Sequence, residues 1–345
     1  MTPPEAIKSA LASVVTGKDL SQDEMAAVVG LFMDGHATGA QIGSLLTALR
    51  MKGETVDEVV GAALAMRSRM TRVECDLPVM VDTCGTGGDG SGSVNVSTLA
   101  AFVVAACGVP VAKHGNRALS SRSGSHDVIE ALGINPAPSP ELAHICLRDV
   151  GLAFLFAPTY HTATKAVAGA RRELGFRTLF NLLGPLTNPA GARHHMNGVF
   201  APERVTFLAE AHQKLGATRA LVVHGHGGLD EIATEGKSLV AELRDGLVRT
   251  YEVSPADFEL PEHDAKGLLG GLPDENARLL LAAIGGEAGA YRSAAVMSAA
   301  AAVFVAGKAP SLSAAARLCE QAIDSGKAMQ ILQRLRQIAP CVPPA

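Results

Sequence analysis

Tryptophan is absent from this 345-residue chain, and aromatic residues make up only 4% of it. Since 48% of residues are hydrophobic, the core must consist mostly of Ala, Val and Leu, with 36 glycines marking turns and close backbone approaches. The six cysteines (Cys75, Cys84, Cys107, Cys146, Cys319, Cys341) include no CxxC pair. That spacing excludes a zinc ribbon or a disulfide framework and leaves reduced thiols that fill the core. Basic residues are not in excess: 30 Lys and Arg face 34 Asp and Glu, for a net charge of −4. No extended nucleic-acid surface is therefore expected, and any phosphate must be bound at a local site. The longest apolar runs, Leu99–Cys107 and Ala299–Ala306, fall far short of the ~20 residues of a membrane span. The N-terminal stretch MTPPEAIKSAL carries Glu5 and has no signal-peptide core. The expectation is a cytoplasmic globular protein without a membrane or nucleic-acid partner.

What is present falls into two grammars. Residues 4–70 read as four short helices, three of them opened by capping boxes at Ser21/Glu24, Thr38/Gln41 and Thr55/Glu58. Gly35 and Gly53 stand where helix C-caps belong. From residue 78 the pattern becomes strand–helix alternation. It predicts a strand at Pro78–Thr83, a helix at Val96–Cys107, a strand at Val109–Lys113, and a helix closing at Gly216 before a strand at Arg219–His224. A hairpin over Ser238–Val253 turns at Asp245-Gly246, and an Ala-rich helical region runs from Pro273 to about Ala339. Phe180–Arg193, with two prolines and two glycines, suits a connector that crosses between domains. The fold class is α/β: a small all-helical N-terminal domain and a larger domain with a mostly parallel sheet.

The strongest chemical signal is Asp82–Thr98, DTCGTGGDGSGSVNVST. Its glycines let backbone amides turn inward, and the loop opens onto a helix N-terminus bearing Ser97 and Thr98, a combination that favours a phosphate. A flexible surface loop is the competing reading. Gly85–Gly90 formally fits GxGxxG, but no Asp or Glu lies between Gly90 and Ser125 to hold a ribose, so a dinucleotide site is a poor match. Gly236-Lys237-Ser238 is no P-loop, because Glu231 stands where the first glycine should be.

Lys113–Glu130, KHGNRALSSRSGSHDVIE, follows the next strand and should face the same crevice. Lys113 offers a cation, and Asn116, Ser120, Ser121 and Ser125 offer neutral hydrogen bonds. Asp230-Glu231 would repel a phosphate unless a divalent cation bridges them, a role that suits Mg2+; otherwise the pair is solvated surface. His194-His195 and His224-Gly225-His226 lack further ligands at zinc spacing and read as packed or exposed histidines. Arg171 and Arg172 beside Glu173 read as a helix surface with a local ion pair.

In this order and at these spacings, DTCGTGGDGSG…NVST, KHGNRALSSRSGS…DVIEALG, RRELGFRTLFNLLGPLTNPA and GLDEI resemble the anthranilate phosphoribosyltransferases. The resemblance runs over essentially the whole chain; the architecture is also that of the nucleoside phosphorylases. It implies a helical domain at 1–72, completed by helices near 173–190, an α/β phosphoribosyl-binding domain at 73–345, and a homodimer formed through the helical domain. It further implies transfer of a phosphoribosyl group from phosphoribosyl pyrophosphate to anthranilate with Mg2+. The donor would be held by Gly85, Gly88, Asp89, Ser93, Asn95, Val96, Ser97, Thr98 and Lys113. The loop Gly115, Asn116, Arg117, Ala118, Leu119, Ser120 and Ser121, with Ser125, would complete that site. Ser97, Asp230 and Glu231 would ligate the metal. Gly85, Asn116 and Arg171 would contact the acceptor, with His114 and His161 lining its pocket, and Lys113, Asn116 and Arg171 would be catalytic. Two departures touch the acceptor side: His161-Thr162-Ala163-Thr164-Lys165 replaces the usual HPAMK, and His126 stands where the family has Ala. Another aromatic or heterocyclic acceptor, or a nucleoside phosphorylase reaction, is the alternative.

Overall fold

A computed structural model describes residues 2–117 and 123–341. Four helices come first: α1 (Pro3–Val15), α2 (Gln22–Met33), α3 (Gly39–Lys52) and α4 (Val56–Arg67). The three expected capping boxes form, each with its backbone N–H donating to the Glu or Gln three residues on. A fourth such contact, Thr2 N–H to Glu5, opens α1. Gly35 and Gly53 adopt the positive φ that ends α2 and α3.

The remaining elements run β1 (Val81–Asp82), α5 (Val96–Ala106), β2 (Val111–Gly115), α6 (Ser125–Ala131), α7 (Pro140–Asp149) and β3 (Leu152–Phe156). Then come α8 (Ala157–Tyr160), α9 (Lys165–Leu174), α10 (Phe180–Leu183), β4 (His194–Gly198), α11 (Arg204–Lys214) and β5 (Arg219–His224). The hairpin β6 (Ser238–Arg244) and β7 (Leu247–Val253) precedes α12 (Pro273–Ile284), α13 (Ala290–Val305), α14 (Leu312–Asp324) and α15 (Lys327–Ile338). The sheet order is β3-β2-β1-β4-β5-β6-β7, parallel from β3 to β5, with an antiparallel hairpin at one edge.

Two expected strands are shorter or shifted. Pro78 and Pro110 have no N–H to give a ladder, so β1 shrinks to two residues and β2 starts after Pro110. Two others, β3 and β4, carried no strand signal strong enough to predict. β4 reads His-His-Met-Asn-Gly, yet all five residues are buried. Its histidines are packed, in agreement with the reading that set them aside as metal ligands.

Chain order places the site. Successive strands step outward from β1 on one side through β2 and β3, and on the other through β4 and β5. Loops leaving the carboxyl ends of β1 and β4 therefore part in opposite directions and open a crevice, the usual ligand position in such sheets.

Two apolar cores form. One lies between the sheet and α5, α12, α13, α14 and α15. The other joins α1–α4 to α9, α10, α11 and the opposite sheet face, through Val199, Val222 and Ala241. Arg67 at the end of α4 ties this second core to the connector and to α11, donating to the carbonyls of Leu186 (2.7 Å) and Leu215 (3.3 Å). The buried Arg204–Glu54 pair at 2.7 Å adds a second tie.

The helical layer depends on one close approach. A Cβ at Gly61 of α4 would lie 2.3 Å from the Gln22 carbonyl and 3.0 Å from the Met25 Cβ on α2. Gly61→Ala should therefore push α2 and α4 apart and cost about 1–3 kcal/mol, read as a fall in Tm. Gly43→Ala in α3, where the nearest atom is 3.9 Å away, should leave stability unchanged or raise it by up to about 1 kcal/mol.

Candidate active site

Asp82, the last residue of β1, is fully buried. Its Oδ1 accepts N–H bonds from Cys84 (3.0 Å) and His114 (3.1 Å), and its Oδ2 accepts one from Asn188 Nδ2 (2.7 Å). These donors favour the carboxylate, but burial outweighs them and pushes its pKa up to about 6. The result clamps the glycine-rich loop, β2 and the 180–193 connector to one carboxyl group.

The loop then crosses onto β4, where Thr86 N–H donates to the Gly198 carbonyl at 2.8 Å. A Cβ at Gly198 would fall 1.4 Å from the Asp230 carbonyl oxygen, so only glycine lets the Asp230 backbone sit against β4. Gly87, Gly88, Gly90 and Gly92 all have positive φ. Asp89 closes the loop by accepting from Ser91 N–H (3.0 Å) and Asp230 N–H (3.3 Å).

Beneath the loop, Glu231 Oε1 accepts the N–H of Ser97 in the first turn of α5 (3.1 Å), and Oε2 accepts Ser298 Oγ from α13 (3.0 Å). Lys113 Nζ, only 4% exposed, donates to Ser97 Oγ and to the Thr83 carbonyl, both at 3.2 Å. Burial raises Glu231 to about 7 although Lys113, Ser298 and Ser97 pull it down. Asp230 lies far above the usual carboxylate range, first through burial and then through the charges of Asp89 and Glu231. Three carboxylates thus crowd a site with one lysine. Uncompensated hard oxygens of this kind fit a divalent cation that prefers oxygen ligands.

Of the residues expected to line an acceptor pocket, His114 donates through Nδ1–H to the Gly184 carbonyl at 2.9 Å, which leaves Nε2 buried without a partner among the described residues. His161 stacks 5.0 Å from it. Burial lowers His114 to about 4 and His161 to about 3, so both rings are neutral. Arg171 makes no ion pair among the described residues; its guanidinium lies 5.0 Å over the Phe180 ring, and burial lowers its pKa. The expected pairing with Glu173 is thus replaced by stacking, because α9 turns Arg171 toward the connector. Thr162–Thr164 form a single 3-10 turn in which Thr164 Oγ1 donates to the His161 carbonyl at 2.7 Å.

Among the other expected donor residues, Val96 and Thr98 are buried in the first turn of α5, and Ser93 pairs with Leu269 in an isolated bridge. Asn95 is already engaged: it donates to the Ser123 carbonyl (3.3 Å) and accepts from Asn276 Nδ2 (3.0 Å). Gly115 sits so close to Ser125 that a Cβ would meet its Oγ at 2.6 Å. Ser125 Oγ donates to the Asn116 carbonyl at 3.3 Å, while Arg117 turns away toward Asp127 (3.4 Å) and Glu130 (3.8 Å). Ala118, Leu119, Ser120 and Ser121 lie outside the described residues. Burial and desolvation also lower His126, which stacks 4.1 Å from the Phe156 ring.

Sequence reasoning missed several participants. Asn188 and Ser298 had no signal, since an Asn in a turn and a Ser in an Ala-rich helix are commonplace. Arg177, between α9 and α10, donates to the Gly88 carbonyl and stacks 4.3 Å from the Phe200 ring. Behind the loop lies a buried polar group: His212 Nε2 is 2.6 Å from Asn197 Oδ1, Asn197 Nδ2 donates to the Cys84 carbonyl at 2.6 Å, and the His195 ring stacks 4.1 Å from His212.

A helical bundle set against an α/β sheet, with acids, a lysine and a glycine loop at the carboxyl edge, defines a glycosyl transferase. The model of the glycosyl transferase family's helical bundle domain matches residues 8–70, and that of its a/b domain matches 77–329. A curated anthranilate phosphoribosyltransferase of Pelotomaculum thermopropionicum is 51% identical over 329 residues, covering 95% of both chains. One from Anaeromyxobacter sp. (strain K) is 52% identical, covering 95% of this chain and 97% of its own. The crystal structure of anthranilate phosphoribosyltransferase from Thermus thermophilus superposes with a TM-score of 0.91 at 42% identity, over 95% of this chain and 98% of that one. The Saccharomyces cerevisiae enzyme in complex with PRPP and Mg superposes with a TM-score of 0.88 at 27% identity, over 96% and 97% of the two chains. The chain belongs to the anthranilate phosphoribosyltransferase family.

Burial holds His212 at about 3 and His195 well below its ordinary value. Both stay neutral when folded but take up protons when unfolded, so the stability they confer is complete above about pH 6.5 and falls as pH drops. Together they should remove about 2–3 kcal/mol between pH 7 and pH 5.5. In urea unfolding, His195→Gln should shrink the fall over that interval by roughly 1 kcal/mol; an unchanged pH dependence would show that His195 is not held neutral.

Proposed function

We propose that this chain transfers the phosphoribosyl group of phosphoribosyl pyrophosphate to the amine of anthranilate, releasing pyrophosphate, with Mg2+ as cofactor. The observation that carries the reading is the cluster of half-buried, mutually repelling Asp89, Asp230 and Glu231 beside the buried Lys113, at the N-terminus of α5. Mg2+, held by Asp230, Glu231 and Ser97 Oγ, with Asp89 added here to that set, would neutralise the pyrophosphate charge when bound.

The protein's own part is mostly positioning. Lys113 supplies a fixed cation as the bond from C1 to the pyrophosphate oxygen breaks, and the loop amides and the first turn of α5 face the same charge. The ribosyl carbon becomes cationic as pyrophosphate leaves, and an arylamine, already unprotonated at neutral pH, attacks it without a strong base and then gives up one N–H proton to the departing pyrophosphate. Neutral His114 and His161 line the acceptor side without adding charge that would repel this carbon. Arg171, stacked and free of a carboxylate partner among the described residues, receives the acceptor's carboxylate.

The division at residue 72, with α9 and α10 joined to the helical domain, belongs to the same reading. So does a homodimer through the helical domain, supported by Val15 (69% exposed) and Met51 (84% exposed) on its surface. Among the described residues all six cysteines are free, and no helix is long and apolar enough to cross a membrane; a cytoplasmic location accords with both.

The test follows the fluorescence of anthranilate with and without phosphoribosyl pyrophosphate and Mg2+. Decay should require all three components and disappear in the double variant Asp230→Asn, Glu231→Gln. Arg171→Ala should lower kcat/KM for anthranilate roughly tenfold to a hundredfold, the worth of one charge-assisted bond, and leave the donor KM nearly unchanged. Aniline, which lacks the carboxylate, should lose little further activity in that variant. Equal losses for both acceptors would make Arg171 a structural residue.

A further inference from the structure

The polar group behind the glycine-rich loop is buried, costly to bury, and unused in the chemistry above. Asn197 and His212 are both fully buried. The Cys84 carbonyl can only accept, so the atom of Asn197 facing it at 2.6 Å must be the amide nitrogen. Asn197 Oδ1 then faces His212, whose Nε2, 2.6 Å away, must carry the proton and donate. The stacked His195 ring packs against the imidazole and limits how far it can swing away.

The consequence falls on the next residue. The Cys84 carbonyl and the Gly85 N–H belong to one planar trans peptide and point in opposite directions. Drawing the carbonyl back toward β4 turns the Gly85 N–H forward. That N–H has no acceptor among the described residues. The preceding peptide is fixed as well, since the Cys84 N–H is held by Asp82 at 3.0 Å. We infer that Asn197 and His212 are positioning residues that aim the Gly85 amide into the ligand crevice, where it binds the anionic donor. The inference deepens the reading above and rests on it for the identity of that donor.

Without the His212 donor, Oδ1 of Asn197 is left buried and unpaired, and the amide loses the second bond that fixes its plane against the Cys84 carbonyl. Three variants separate aiming from mere packing: Asn197→Leu removes the donor to Cys84, His212→Phe keeps a stacked ring without an N–H, and His212→Gln restores an N–H donor. Two measurements follow on folded protein checked by circular dichroism: calorimetric binding of phosphoribosyl pyrophosphate with Mg2+, and amide hydrogen exchange over residues 83–92 without ligand. Asn197→Leu and His212→Phe should weaken donor binding about tenfold or more and speed exchange in the loop, while His212→Gln should recover most of both. A folded His212→Phe protein with donor affinity within twofold of the parent and unchanged loop exchange would overturn the proposal, as would equal losses in His212→Phe and His212→Gln. If the parent itself binds no phosphoribosyl pyrophosphate, the proposed function fails, and the exchange measurement alone decides whether Asn197 and His212 hold the loop.

Discussion

The Asp82 carboxylate is the hub on which this structure turns. β1 is only two residues long and sits between β2 and β4 inside a seven-stranded sheet. So short a strand contributes few ladder hydrogen bonds, and a buried side chain takes their place: one carboxyl group reaches the loop after β1, the backbone of β2 and Asn188 in the connector. Asn188 continues the link to the Ala112 carbonyl at 2.8 Å. Breaking such a group by removing a donor leaves a desolvated charge behind, a cost much larger than the worth of any one of its bonds. The loop, the lysine strand and the 180–193 connector are therefore fixed relative to one another.

Around that hub the site stores unfavourable electrostatics. Burial raises the proton affinity of Asp230 and Glu231 and the charge of Asp89 adds to both, with Lys113 as the cation that touches their network. On the other side, His114 and His161 are kept neutral by the same burial. One half of the crevice is thus short of positive charge, and the other pairs two neutral rings with the single guanidinium of Arg171. A polyanionic donor brought in with a divalent cation suits the first half, and a flat ring with a single carboxylate suits the second. Preorganisation of this kind costs stability in the free protein and lowers the reorganisation needed during the reaction.

Much of this was legible in the sequence, where local signals and global structure agree. Capping boxes located three of the four N-terminal helices, and the glycine loop, Lys113 and Asp230-Glu231, read from the sequence as one site, do converge at the first turn of α5. The bare sequence left Arg171 on a solvated helix surface, because nothing in RREL shows that Phe180 will fold back beneath the guanidinium; only the family resemblance moved it into the site. β4 escaped notice because burial of His-His-Met-Asn-Gly depends on partners distant in the chain, Cys84 and His212 among them. Asn188, Ser298 and Arg177 act through tertiary contacts alone, and such contacts leave no periodicity or motif behind. The polar residues that position a site are the hardest to read, since their identity is set by what they face.

The order of strands across the sheet also bears on how such a protein can change over generations. The glycine-rich loop, Lys113 and Asp230-Glu231 hang from β1, β2 and β5, whereas His161 and Arg171 hang from the segment that leaves β3 and returns through the connector. A substitution in the 161–174 region therefore falls on a stretch of chain that carries neither the loop, nor Lys113, nor the acidic pair. The Thr162–Thr164 turn falls within that region. The contact between Arg177 and the Gly88 carbonyl joins the two sets, together with the Asp82–Asn188 and His114–Gly184 bonds, and such links limit how far one can be rebuilt while the other stays as it is.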